Sequence, residues 1–182
     1  MKTTNSRQAV AVTILLLNSA TAQGEGVLNI EYVPNTGGYE RTLGAGYYQF
    51  NDDGFGFYGN AQTTLKKRQP MYQNLTISSF GDPVTERYKN LVVGDIGITR
   101  KINPSVGVYA GLGYASITGE AQKRDPLQVL GTNGVYYVKD PQYDESGANF
   151  NAGIIILSQH LAFNLGYHSI TKSAYFGIGV RL

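Results

Sequence analysis

The chain has 182 residues, among them 23 glycines and 14 tyrosines, with neither tryptophan nor cysteine. A formal net charge of +2 suggests no nucleic-acid partner, and the missing cysteine excludes disulfides and thiolate metal sites. So much glycine and tyrosine points to β structure with close backbone contacts.

Residues 1–22 read as an export signal. Lys2 and Arg7 form a basic region, residues 9–17 an apolar run, and Ala20-Thr21-Ala22 a small-residue cleavage site, so the expected cut lies before Gln23. The run is far shorter than the roughly 20 residues of a spanning helix. Removing Lys2 and Arg7 leaves the basic residues equal in number to the 13 acidic ones, so residues 23–182 form a neutral exported domain. No later apolar run is long enough for a spanning helix. In a membrane this domain must therefore be a closed barrel, the other fold that satisfies every backbone group in lipid.

Eight segments alternate with period two, the β-strand signature. The first, 27–33, sets Leu28, Ile30 and Tyr32 against Asn29 and Glu31, and Pro34-Asn35-Thr36-Gly37-Gly38 breaks it. The second, 39–50, ends at the hairpin turn Asn51-Asp52-Asp53-Gly54 and is followed by the third, 55–65. A polar stretch, 66–89, has no sustained period. The fourth segment, 90–101, and the fifth, 106–117, are joined by a turn at 102–105. A second long polar stretch, 118–147, precedes the sixth segment at 148–158. The seventh, 161–170, and the eighth, 173–182, complete the series.

Connections after the second, fourth and sixth segments are short, whereas those after the third and fifth are long. Short turns at one end and longer loops at the other are the habit of outer-membrane barrels, and strands near ten residues suit a tilted crossing. Each segment carries one large apolar row and one row of glycine, tyrosine and polar residues. The narrow interior of an eight-stranded barrel is filled by side chains. Glycines at 44, 46, 97, 111, 153 and 166, with Tyr48, Tyr58, Tyr109 and Tyr175, suit such an interior, and the apolar row then faces lipid. Aromatic residues gather at its ends, Tyr32, Tyr114, Phe150, Tyr167 and Phe176 toward the loops and Tyr47, Phe55, Phe57 and Phe163 toward the turns. The reading is an all-β, eight-stranded antiparallel up-and-down transmembrane β-barrel. The competing reading is a soluble lipocalin-like binder, in which Leu112, Leu165 and Ile178 meet in a central cluster.

These features resemble the small outer-membrane β-barrels of the OmpA/OmpX type from Gram-negative bacteria. The resemblance is one of architecture, over residues 23–182. The last strand keeps Phe176, Ile178 and Val180 in the apolar row, and Leu182 stands where that family usually ends in an aromatic. The resemblance implies a monomer in the bacterial outer membrane.

Charged and imidazole groups in the inner row are Glu31, Asp95, Lys101, His168 and Arg181, expected to form one polar network in the lumen, since isolated buried charges are costly. An ion path through them is the sharper alternative. Arg41 with Lys66, Lys67 and Arg68 sits at the expected external rim, where lipopolysaccharide phosphates lie. His168-Ser169 invites comparison with lipid A-modifying enzymes, but alternation puts the two on opposite faces. No catalytic, cofactor or metal site is assigned. The long loops, with tyrosines 72, 88, 136, 137 and 143, suit recognition of a host surface or a protein ligand.

Overall fold

The computed structural model describes residues 24–34, 39–52, 54–65 and 74–182, so the expected signal segment lies outside the described residues. Nine strands follow in chain order: β1 (Glu25–Val33), β2 (Thr42–Phe50), β3 (Phe55–Thr64), β4 (Val84–Asn103), β5 (Val106–Arg124), β6 (Val135–Lys139), β7 (Glu145–Leu157), β8 (Leu161–His168) and β9 (Ser173–Arg181). All but β6 form a ring in which each strand pairs antiparallel with its neighbours. The ring closes where β1 meets β9, from Val27↔Arg181 to Tyr32↔Phe176. Closure leaves the ring no free edge, which is the condition for a sheet to sit in lipid.

The two rows fall on opposite sides of the wall. Tyr48, Tyr175 and Ile155 are completely buried inside. Ile96, Tyr114 and Phe150 point outward, each more than 60 % exposed. Leu112, Leu165 and Ile178 are likewise exposed on the outer face and form no central cluster, which removes the lipocalin-like arrangement. The protein is a closed, eight-stranded antiparallel transmembrane barrel with an apolar belt.

Inside, tyrosine rings lie in slots that glycines leave. Gly97 and Gly111 face each other across β4 and β5 and receive the Tyr58 ring. Gly153 and Gly166 face each other across β7 and β8, and a methyl at either would fall on the Tyr109 hydroxyl. The Tyr48 ring stacks on Tyr58 with centroids 5.2 Å apart, and Tyr109 packs obliquely against both at 4.9 and 5.0 Å. Above this layer, toward the loops, Leu91, Val93, Ala115 and Ile117 close the lumen, with Tyr39 and Ile170 packed on them. Below it, Val27, Phe50, Leu157 and Ala162 belong to the buried cluster that holds the tyrosines.

Some boundaries differ from the sequence reading. The fourth strand begins at Val84 instead of 90, the fifth runs to Arg124 instead of 117, and the sixth segment starts at Glu145 instead of 148. A ninth strand, β6, lies within the stretch read as polar loop. The physical reason is that these lengths stand beyond the lipid belt, where neither face needs an unbroken apolar row. Tyr47 keeps its place in the outward row, opposite Leu28, but is covered there: it packs against Phe57 with centroids 6.1 Å apart and lies over Gly26, which has no side chain to displace it.

The outward belt predicts a position-dependent cost. Ile96→Arg, near the middle of the belt, should destabilise the barrel by about 2–4 kcal/mol, whereas Leu127→Arg in the external region should be near neutral. Urea titration in lipid vesicles, read by the heat-dependent gel shift of folded barrels, checks the difference.

Candidate functional site

Alternation along β1, β4 and β8 aims Glu31, Asp95 and His168 into the lumen, where all three are buried. Glu31 accepts hydrogen bonds from Gln62 Nε2 at 2.7 Å, Asn164 Nδ2 at 3.1 Å, Asn60 Nδ2 at 3.2 Å and the Tyr48 hydroxyl. Asp95 accepts from Asn149 at 2.8 Å and Asn151 at 3.0 Å. His168 connects the two acids. With its proton on Nε2 it donates to Gln62 Oε1 at 3.2 Å, and its Nδ1 accepts from Asn149 Nδ2 at 2.8 Å. A continuous relay results, Glu31–Gln62–His168–Asn149–Asp95. The imidazole stacks on Tyr175 with centroids 4.5 Å apart, and the Tyr175 hydroxyl joins Tyr109 at 2.7 Å and Asn151 at 3.0 Å. The carboxylates are met by amide and hydroxyl donors. Each amide has both a donor and an acceptor end, so one side chain satisfies two neighbours in a space too narrow for long cations.

Lys101 and Arg181 are not part of this relay. Both occupy the inner row, but at the turn-side mouth, where they clasp Glu25. Lys101 Nζ lies 2.8 Å from Glu25 Oε2 and 2.9 Å from Asp52 Oδ1. Arg181 reaches the Glu25 carboxylate through Nε at 2.5 Å and Nη2 at 2.8 Å, and donates to the Ser158 carbonyl at 3.2 Å. The reason is axial distance: Lys101 is six residues beyond Asp95, about 20 Å along the strand. Glu25 lies before the expected first segment at 27–33, yet β1 begins with it and it continues the same inward row.

At the opposite rim Arg41 is exposed, and its carbonyl accepts the Leu65 amide at 2.9 Å. Lys66, Lys67 and Arg68 lie outside the described residues. His168 and Ser169 diverge as alternation requires, with Ser169 Oγ accepting the Phe150 amide at 2.8 Å. Among the described residues no group of three or more metal-ligating side chains converges.

A second structured region escaped the sequence reading. Beyond the belt, β4 and β5 stay paired, and β6 joins β5 from Glu120↔Lys139 to Arg124↔Val135, so a three-stranded platform stands over the loop-side end. Ala121, Tyr136 and Val138 form its small core, packed by Leu75, Ile77, Val84 and Leu130. Lys123 is buried and donates to the carbonyls of Ile77 (3.0 Å), Ser79 (2.7 Å) and Phe80 (2.7 Å), which staples segment 74–83 to β5. Phe80 is thereby held at a left-handed φ of 57°, rare for a bulky residue. Asp125 accepts the amides of Leu127, Val129 and Leu130 at 2.8–2.9 Å, which folds the tip and holds its carboxyl below the usual range. Lys89 sits between the rings of Tyr39 and Tyr143, 5.0 and 5.1 Å from their centroids, and Arg87 pairs with Asp140 at 3.2 Å.

No protein-family model matches the sequence, and no curated protein matches it. Solved structures do. Ail, the attachment invasion locus protein of Yersinia pestis, crystallised with the heparin analogue sucrose octasulfate, is 16 % identical with a TM-score of 0.49, over 88 % of this chain and 99 % of that one. The backbone structure of Y. pestis Ail in a phospholipid bilayer nanodisc is 17 % identical with a TM-score of 0.49, over 88 % and 100 %. On its own strand register and exposure, the chain has the architecture of the small eight-stranded outer-membrane barrels.

Proposed function

We propose that this chain is exported, loses residues 1–22, and resides as a monomer in the bacterial outer membrane, where it has a non-enzymatic, structural and adhesive role. The observation that carries the reading is the platform with its exposed apolar side chains. Leu127 and Val129 are 82 % and 77 % exposed at the tip, and Phe80 is 54 % exposed on the segment that Lys123 fixes. Solvent-facing apolar groups on a braced scaffold suit contact with a host surface or a protein ligand better than they suit water. The lumen, closed by side chains at both ends and filled by tyrosine between, favours this reading over a channel. Arg41, together with Lys66, Lys67 and Arg68, is assigned to lipopolysaccharide phosphates at the external rim.

Three outcomes follow. Replacing Leu127 and Val129 by serine should reduce adherence of producing cells to host-cell monolayers several-fold, with the heat-dependent gel shift intact; unchanged adherence would remove the tip from the role. Reversing the charge of Lys66, Lys67 and Arg68 should lower the lipopolysaccharide that co-purifies with the barrel. The third concerns pH. Asp125 has its carboxyl lowered chiefly by the Leu130 amide, so its contribution is complete above the unfolded value of about 3.9 and fades as pH falls through the lower folded value. The protection of the Leu127, Val129 and Leu130 amides, measured as hydrogen exchange relative to the intrinsic rate at each pH, should therefore be high at neutral pH and fall below about pH 4.

A further inference from the structure

Among the described residues, Arg100 is the single charged side chain in the outward rows of the lipid-crossing lengths. It does not stand at the very end of its strand. Ile102, 60 % exposed, lies one outward position nearer the turn, about 7 Å further along. Arg100 is thus a cation set inside the margin of an apolar belt. Its guanidinium lies over the Phe55 ring, 5.3 Å from the centroid, and no carboxylate among the described residues pairs with it. A charge in such a place requires an anion or a path to the headgroup layer.

Beside it the wall is dented. Ala110 pairs with Ile98, and Val108 with Arg100, so a small side chain sits between larger ones. Phe55, Ile98, Arg100, Val108 and Ala110 line a groove of about 310 Å³ whose walls are apolar apart from the guanidinium. We propose that this groove on the outer face of β3, β4 and β5 holds one phospholipid with a net-negative headgroup from the turn-side leaflet. One acyl chain lies against Ala110, and the phosphate pairs with Arg100. Charge complementarity selects the occupant: the apolar channel accepts any acyl chain, but the guanidinium favours a lipid whose phosphate is not offset by an amine. The inference rests on the barrel spanning a membrane and is independent of the adhesive role.

Native mass spectrometry of the full barrel, released from vesicles of equal phosphatidylglycerol and phosphatidylethanolamine, tests it. The unaltered protein should retain one phosphatidylglycerol in clear preference. Arg100→Gln should reduce that preference about five-fold, the worth of one cation at an anionic membrane surface. Arg100→Lys should keep most of it. Ala110→Leu, which fills the dent and leaves the charge, should lower retention of both lipids. Equal retention of the two lipids by the unaltered protein, an undiminished preference in Arg100→Gln, or undiminished retention in Ala110→Leu would each overturn the proposal. All variants are checked for the heat-dependent gel shift; its absence from the unaltered protein would instead sink the membrane barrel itself.

Discussion

The pairing of β1 with β9 is the constraint on which everything else depends. In hydrocarbon an unpaired amide or carbonyl has no water to turn to, so a sheet that crosses must meet its own first strand. Eight strands make a cylinder too narrow to hold a water column yet too wide to be filled by the small residues that line it. The chain resolves this with paired glycines and tyrosines. Gly97 with Gly111, and Gly153 with Gly166, remove side chains from two neighbouring strands at one level, and a ring from the adjoining strand, Tyr58 on β3 and Tyr109 on β5, lies over each gap. The same arrangement orders the polar interior. Because tyrosine carries a hydroxyl at its far end, the rings that fill the cylinder also deliver donors to Glu31 and Asn164 at its centre.

Polar groups are sorted by height. Carboxylates deep inside, Glu31 and Asp95, meet only neutral partners, and the charged pairs of Glu25 with Lys101 and Arg181 occur at the mouth, where water reaches them. Desolvating a carboxylate together with a long cation is expensive, and amides satisfy the same lone pairs with less charge to bury. Between the two regions lie apolar side chains such as Val27 and Leu157. The interior is therefore a stack of a charged rim, an apolar seal, a tyrosine layer, an amide relay and a second apolar seal under the loops.

Much of this was legible in the residues themselves. Leu161, Phe163, Leu165 and Tyr167 alternating with Ala162, Asn164, Gly166 and His168 fix the two faces of β8, and mid-strand glycines identify the inner one. Period two says which side a residue faces but not at what height, so alternation alone does not separate Lys101 and Arg181 at the mouth from Asp95 deep inside. The platform was illegible for a different reason. Residues 118–124 and 135–139 pair in water, with a face that only a short loop covers, and such strands lack the long apolar row that lipid imposes. Lys123 could not have been read as buried, because its partners are main-chain carbonyls from a segment 43 to 46 residues away.

The exchange of partners along β5 has a mechanical meaning. Up to Ile117 one edge of β5 is paired with β7, and from Glu120 the same edge is paired with β6, while β4 accompanies it throughout. A tug on the platform is therefore transmitted lengthwise into two strands of the wall, across many rungs that run perpendicular to the pull and share the load together. A hinged loop would instead peel away one bond at a time. Whatever grips this tip is moored to the cylinder itself.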